Sequence, residues 1–225
     1  MERLVHQQAR FQGLRSLRME ATYWSAPLLC TPEPEEWILG LSNIVGIERN
    51  HQLVREAIVD AWLCSAPDLP DCNDPDLTSI QLCEMPIHLM VGKNHPLLRK
   101  ETNLCWEDIA DFPSLALPDG AYPTTQTALK KLGLWNSPVR MNRYKRELWE
   151  GQTEEDVTIG YGTCLSIVAS QTDQIALPLS LPFCAGEALV VRHERRNHPK
   201  ILELIRLIKQ RIQALKKTQP DIRLL

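Results

Sequence analysis

No stretch of this 225-residue sequence approaches the roughly 18–20 consecutive apolar residues that cross a bilayer. The N-terminal MERLVHQQARFQG is polar and lacks the apolar core of a secretory signal. These two absences point to a soluble, cytoplasmic protein with no membrane partner. A basic excess is missing as well. The formal net charge is −3 and the pI about 6.1, so bulk electrostatics give no reason to expect nucleic-acid binding. Cysteine pairs are absent. The seven cysteines (Cys30, Cys64, Cys72, Cys83, Cys105, Cys164 and Cys184) are odd in number, scattered and free of any Cys-x-x-Cys, which argues against a finger or ribbon zinc site. They read as reduced thiols used as small buried hydrophobes, and none stands out as a redox sensor. Low-complexity segments and convincing internal repeats are also missing.

Catalytic signatures are equally scarce. Gly160-Tyr161-Gly162-Thr163-Cys164 has the wrong order for a Gly-x-Ser-x-Gly nucleophile elbow. It also lacks the third glycine and the early βαβ setting of a dinucleotide fingerprint. His51 could act as a base, but spacing specifies no carboxylate or thiol partner for it. The histidines at 6, 88, 95, 193 and 198 fall in loops or at strand ends, with no His-x-x-x-His pair. No catalytic residue, metal site or cofactor is therefore expected. The C-terminal basic face (Arg206, Lys209, Arg211, Lys216, Lys217) lies opposite an apolar stripe and has no interleaved aromatics, so it reads as a solvated face.

What is present is an alternation of strand and helix patterns in a chain that is 44% apolar. SLRMEATYWS (16–25) reads as a strand. Ser25 and Pro27 open a helix over 26–41, disturbed by Pro32 and Pro34. NIVGIER (43–49) is a second strand, and Asn50 caps a helix whose face is Leu53, Val54, Ala57, Ile58 and Ala61. AWLCSA (61–66) is a third strand. This β-α-β-α-β order implies a parallel sheet covered by helices. Further on, 78–92 holds one or two strands, 114–119 and 138–144 are strands, and YPTTQTALKKLGL is a helix. VTIGYGTCLSIVAS (157–170) is a strand, a double-glycine turn and a small-residue element; QIALPLS and EALVVRHER are two more strands. The chain closes with a helix whose Ile201, Leu204, Ile205, Ile208, Ile212 and Leu215 share one face.

In open α/β sheets, ligands bind at the carboxyl ends of strands. That rule selects Tyr23, Trp24 and Ser25 after the first strand, Asn50 and His51 after the second, and Ser65 after the third. In the second half it selects Tyr122 and Thr124, then Tyr161 and Gly162. Hydroxyls and amides at helix starts suit a carboxylate or similar anion, and serve equally as plain N-caps.

Four segments together resemble the effector-binding domain of LysR-type transcriptional regulators. GLRSLRMEATYWSAPLL (13–29) is similar to the family's passage from linker helix into the first strand and helix. IVGIERNHQLVREAIVDAWLCSA (44–66) resembles its strand–helix–strand unit. IHLMVGKNHPLLRKETNLCWEDIADFPSLAL (87–117) is similar to its crossing strand, His-Pro-Leu break and first second-lobe strand. VTIGYGTCLSIVAS resembles its second-lobe glycine turn.

The resemblance implies a type 2 periplasmic-binding-protein architecture: two Rossmann-like α/β lobes joined by two crossover strands near 90–94 and 188–192, with a ligand cleft between them. Residues 1–13 would be the tail of a linker helix, 14–92 with 190–225 the first lobe, and 93–189 the second. The winged helix-turn-helix of family members is not in this stretch, which would make it a truncated segment or a stand-alone effector domain; DNA contact would belong to that missing part. A small, anionic metabolite would be sensed in the cleft by the ten residues named above and signalled through a homodimer or higher homo-oligomer. The alternatives are a cytoplasmic solute-binding protein and an enzyme on the same scaffold. On this reading His95-Pro96 marks the boundary after a crossing strand and is not an active-site pair.

Overall fold

The computed structural model describes residues 19–21, 25, 28–29, 39–41, 47–66, 74–100, 103–116, 123–133, 138–140, 157–165 and 174–225. Along these the chain runs β1 (Met19–Ala21), β2 (Leu39–Leu41), α1 (Ile47–Arg55), β3 (Ala61–Ala66), β4 (Leu77–Val91), α2 (Trp106–Ala110), β5 (Ser114–Ala116), α3 (Pro123–Lys131), β6 (Pro138–Arg140), β7 (Gly160–Gly162), β8 (Ile175–Arg192), α4 (Pro199–Leu215) and β9 (Arg223–Leu224). The main sheet has the order β2-β1-β3-β8-β4-β7, with β9 also on β4. β1 pairs in parallel with β2 and β3, while β8 and β4 join antiparallel. β5 and β6 form a separate parallel pair.

Strand alternation places helices on both faces of this sheet. On β3, Ala61 and Leu63 turn one way and Trp62 and Cys64 the other. The first set packs with Leu189, Val191 and α4, whose Ile201, Leu204, Ile208, Ile212 and Leu215 recur at helical spacing. The second set packs with Val190, Leu77 and the Leu53 and Val54 face of α1. A separate core gathers Ile87, Leu89 and Val91 with Leu97, Ile109, Leu129, Ile159, Leu177 and Leu181. Among the described strands, β4 and β8 run through both cores, and the change falls between Met85 and Ile87 on one and between Ala185 and Leu189 on the other. At 15 and 18 residues these strands far exceed the usual length of about 5–6. Their ladder shifts register between Pro86 and His88 and again between His88 and Met90. Pro86, Pro178 and Pro182 lie in or beside that stretch, where a missing N–H makes a regular ladder impossible.

Two connections close on histidines. His95 caps the 3-10 turn Pro96–Arg99, its Nδ1 accepting from Leu97 N–H at 3.2 Å. His198 caps α4 in the same way, accepting from Lys200 N–H at 3.3 Å. In both cases proline follows at the first helical position, where its fixed φ suits the turn and no N–H is needed. α1 ends in a Schellman arrangement: Ile58 N–H donates to Leu53 O at 3.0 Å and Ala57 N–H to Val54 O at 3.1 Å. Ala57 takes the left-handed position there, with φ 57°.

Several sequence expectations are corrected. Leu39–Leu41 is a strand, not the end of a helix, because parallel pairing with β1 satisfies its backbone and Gly40 is a poor helix former. Ile47–Arg49 is helical, so α1 starts three residues before the expected cap at Asn50 and consumes the end of the expected second strand. Gly160–Gly162 is extended, not a turn: Gly160 and Gly162 pair with Met90 and His88, and among the described glycines only Gly133 has positive φ. The two strands expected at the end of the second half are the single β8, since β4 supplies a partner along its length.

Candidate functional site

Glu187 is a lone carboxylate within the apolar β8 run Ala185-Gly186-Glu187-Ala188-Leu189. In register it lies between Ser65 of β3 and Cys83 of β4. Opposed residues of antiparallel strands share a face, so its side chain points with Leu189 and Val191 toward the α4 side. There it is 0% exposed. A carboxylate so buried requires donors. Ser25, in the 3-10 turn that follows β1, donates its hydroxyl to Glu187 Oε2 at 2.5 Å. β1 and β3 are parallel and end at Ala21 and Ala66, so Ser25, Ser65 and Glu187 sit at the carboxyl ends of the strands.

The segment after β7 reaches the same place. Thr163 and Cys164 are buried, Cys164 Sγ meets Met85 Sδ at 3.7 Å, and Cys164 and Leu165 join the core that contains Leu28 and Leu29. Burial first, then the Glu187 charge, pushes the Cys83 thiol far above its ordinary range. Burial, then Asp221 and lastly Glu187, raises Cys164 to about 11. Both thiols are neutral near pH 7 and so poor nucleophiles. Among the described residues no group of three or more His, Cys, Asp or Glu could hold a metal ion.

The expected site residues separate into distinct places. Ser25 belongs to the Glu187 cluster, and Ser65 is the penultimate residue of β3 beside it. Gly162 is buried in β7, one residue before Thr163. Tyr161 faces the second core, lining a small cavity with Ile109, Phe112, Ser114 and Ile159. Burial raises its phenol to about 12 despite a hydrogen bond with Ser114. Asn50 and His51 lie inside α1 and are buried, with the His51 ring set edge-on to Trp62 at 5.4 Å. Trp62 occupies the sheet face opposite Glu187, so the structure does not bring His51 to Ser25. The early start of α1 rotates that histidine onto the packing side. Thr124 is the second residue of α3; Tyr23, Trp24 and Tyr122 lie outside the described residues. Sequence reasoning passed over Glu187, Cys83 and Ser114. One signal was available for Glu187, the single acid of β8, set within the apolar run Ala185–Val191.

Comparison with known proteins bears on the fold. Residues 45–144 match the family model of the LysR substrate binding domain. No curated protein matches the chain by sequence. The effector binding domain of a BenM variant superposes with TM-score 0.66 at 16% identity, covering 89% of this chain and 96% of that one. A full-length OxyR variant from Pseudomonas aeruginosa gives 0.65 at 15% identity, over 86% of this chain and 72% of the other. The effector binding domain of QuiR in complex with shikimate gives 0.63 at 14% identity, over 86% and 95%. Residues 45–144 are thus similar to the LysR substrate binding domain, and the chain has the two-lobed α/β fold of the effector binding domains on which it superposes.

Proposed function

We propose that this domain senses a small carboxylate-bearing metabolite in a cleft between two lobes and passes the signal through rearrangement of a homodimer. The observation that carries the reading is the convergence of three segments, after β1, at the end of β3 and after β7, on one buried polar centre beside the two strands that cross between cores. The lobes are assigned as 14–92 with 190–225 and 93–189, with crossings near 90–94 and 188–192; the change of core on β4 and β8 a few residues earlier, between Met85 and Ile87 and between Ala185 and Leu189, supports two crossing strands. The effector carboxylate is assigned to the polar groups around Ser25, Ser65, Thr124 and Gly162; Tyr23, Trp24 and Tyr122, also expected at the cleft, lie outside the described residues. His51 and Asn50 serve packing in this reading, and Tyr161 shapes the second lobe. QuiR in its complex holds shikimate, a hydroxylated carboxylate, which supports this ligand class. DNA recognition belongs to a winged helix-turn-helix outside these residues, and the setting is the cytoplasm.

A ligand need only bind one lobe arrangement better than the other, and couplings of about 1–3 kcal/mol are typical. Thermal-shift screening with carboxylates, amino acids and sugar phosphates tests the proposal. A ligand at 100 times its Kd adds roughly 2.7 kcal/mol to stability. Small-angle scattering with and without the hit should then show a changed dimer. A hit that binds equally well after Ser25→Ala, or that leaves the dimer unchanged, would contradict it.

A further inference from the structure

Resting on the reading that the two lobes move against each other, we infer that the segment after α4, residues 216–225, is a strap that holds β4 and so sets how the lobes stand. The burial pattern of β4 shows why that strand needs holding. Ile80 and Leu82 pack in the core beneath α4, and so do Cys83 and Met85, although side chains on a regular strand alternate between faces. The ladder to β8 passes from Gln81–Ala188 directly to Cys83–Glu187, so Leu82 is an extra residue, a β-bulge. The bulge shifts the phase of everything after it. Without it Cys83, Met85, Ile87, Leu89 and Val91 would turn to the face opposite the cores they fill, the face that Leu77 takes before the bulge.

Leu82 has no opposite on β8, and the strap supplies one on the other edge of β4. Leu225 N–H donates to Leu82 O at 3.0 Å, and Leu224 and Arg223 pair with Cys83 and Glu84. Ile222 is buried in the core beneath α4 with Leu224 packed against it, and Lys209 of α4 donates from Nζ to Leu225 O at 2.6 Å. The strap thus ties α4 to the bulge, just ahead of the change of core between Met85 and Ile87. A bulge released from this partner is free to migrate, and each one-residue step turns the side chains of the crossing stretch over. At two residues β9 is the shortest of the described strands, so it is the pairing that opens first. Its release frees the second lobe to reorient without unfolding the first.

Amide hydrogen exchange of the ligand-free 225-residue chain, read by mass spectrometry, tests this beside two variants. Leu225→Pro removes the N–H given to Leu82, and deletion of 220–225 removes β9 altogether. In the wild type, β9 and residues 82–91 should exchange together, at least tenfold faster than residues 201–212 of α4. In Leu225→Pro, exchange over 82–91 should rise at least a further tenfold with α4 and β3 unchanged, and small-angle scattering should show a changed radius of gyration. Wild-type protection over 82–91 in a variant whose β9 is released overturns the inference, as does unchanged scattering. An equal rise along the whole chain overturns it too, since β9 would then be an ordinary part of the fold. The deletion decides where proline leaves β9 in place, and the wild-type order of exchange decides if the deletion variant does not fold. These measurements use no ligand, so a negative result leaves effector sensing to be judged by the metabolite screen.

Discussion

Replacing His95 by alanine should lower the stability of the fold by roughly 3 kcal/mol through three losses. Nδ1 no longer accepts from Leu97 N–H, and a lost N-cap is worth about 1 kcal/mol. Nε2 no longer donates to Val157 O, 3.1 Å away, and because Val157 is half exposed its carbonyl can turn to water, which holds that loss near 1 kcal/mol. The ring also leaves Phe112, 4.7 Å between centroids, for about another 0.5–1.5 kcal/mol. The two hydrogen bonds define the tautomer: Nδ1 bare, Nε2 protonated. A second proton would have to sit on Nδ1, facing Leu97 N–H, and burial itself already holds the His95 pKa below its ordinary value. A histidine depressed in the folded state leaves the unfolded chain binding more protons. Its contribution is therefore fully present above about pH 6.5 and is lost as pH falls below it. Urea unfolding at pH 7.5, 6.5 and 5.5 measures both effects. His95→Asn keeps a capping acceptor without a titrating ring, so the wild type should lose more stability than this variant between pH 7.5 and 5.5. Parallel pH profiles for the two, or an alanine variant within about 1 kcal/mol of wild type, would show that the cap and its tautomer do not matter.

Ala57→Gly should raise stability by about 0.5–1 kcal/mol in chemical denaturation, because glycine removes the Cβ penalty at φ 57°. Ile208→Ala, at a fully buried α4 position, should cost about 3–4 kcal/mol in the same assay. Timed thiol labelling of native protein should find Cys105 and Cys184 reactive and Cys64, Cys83 and Cys164 protected until unfolding. Asp74 accepts from Arg55 at 2.7 Å and from Asp76 and Leu77 N–H, and the Arg55 bond foremost lowers its pKa below 3.8. Its stabilisation is present above that value and lost as pH falls, so unfolding midpoints of wild type and Asp74→Ala should converge in acid.

Local chemistry explains which elements the sequence disclosed. β3 was legible at its observed bounds because AWLCSA is short, apolar and bounded by polar residues. The α4 face was legible because its isoleucines and leucines hold helical spacing over 15 residues, from Ile201 to Leu215. His95-Pro96 was read as a boundary, and the structure adds that the histidine is the cap that makes it one. Ser25 was selected by the strand-end rule. Glu187 was not, since its partners stand 122, 104 and 162 positions away at Ser65, Cys83 and Ser25. His51 was misplaced because the start of α1 is set by packing against Trp62 and Val190, not by a capping signal at Asn50.

The sequence by itself determined the alternation of strands and helices, the apolar faces that they bury, and a resemblance to LysR effector-binding domains. Periodicity and capping are local, so they are written in neighbouring residues. Tertiary structure alone decided that β4 and β8 are continuous strands shared by two cores. It also decided that Gly160–Gly162 is a strand and that a single glutamate ends up beneath Ser25. Each of these is a pairing between distant segments, and register across a sheet is chosen only when both partners are in place.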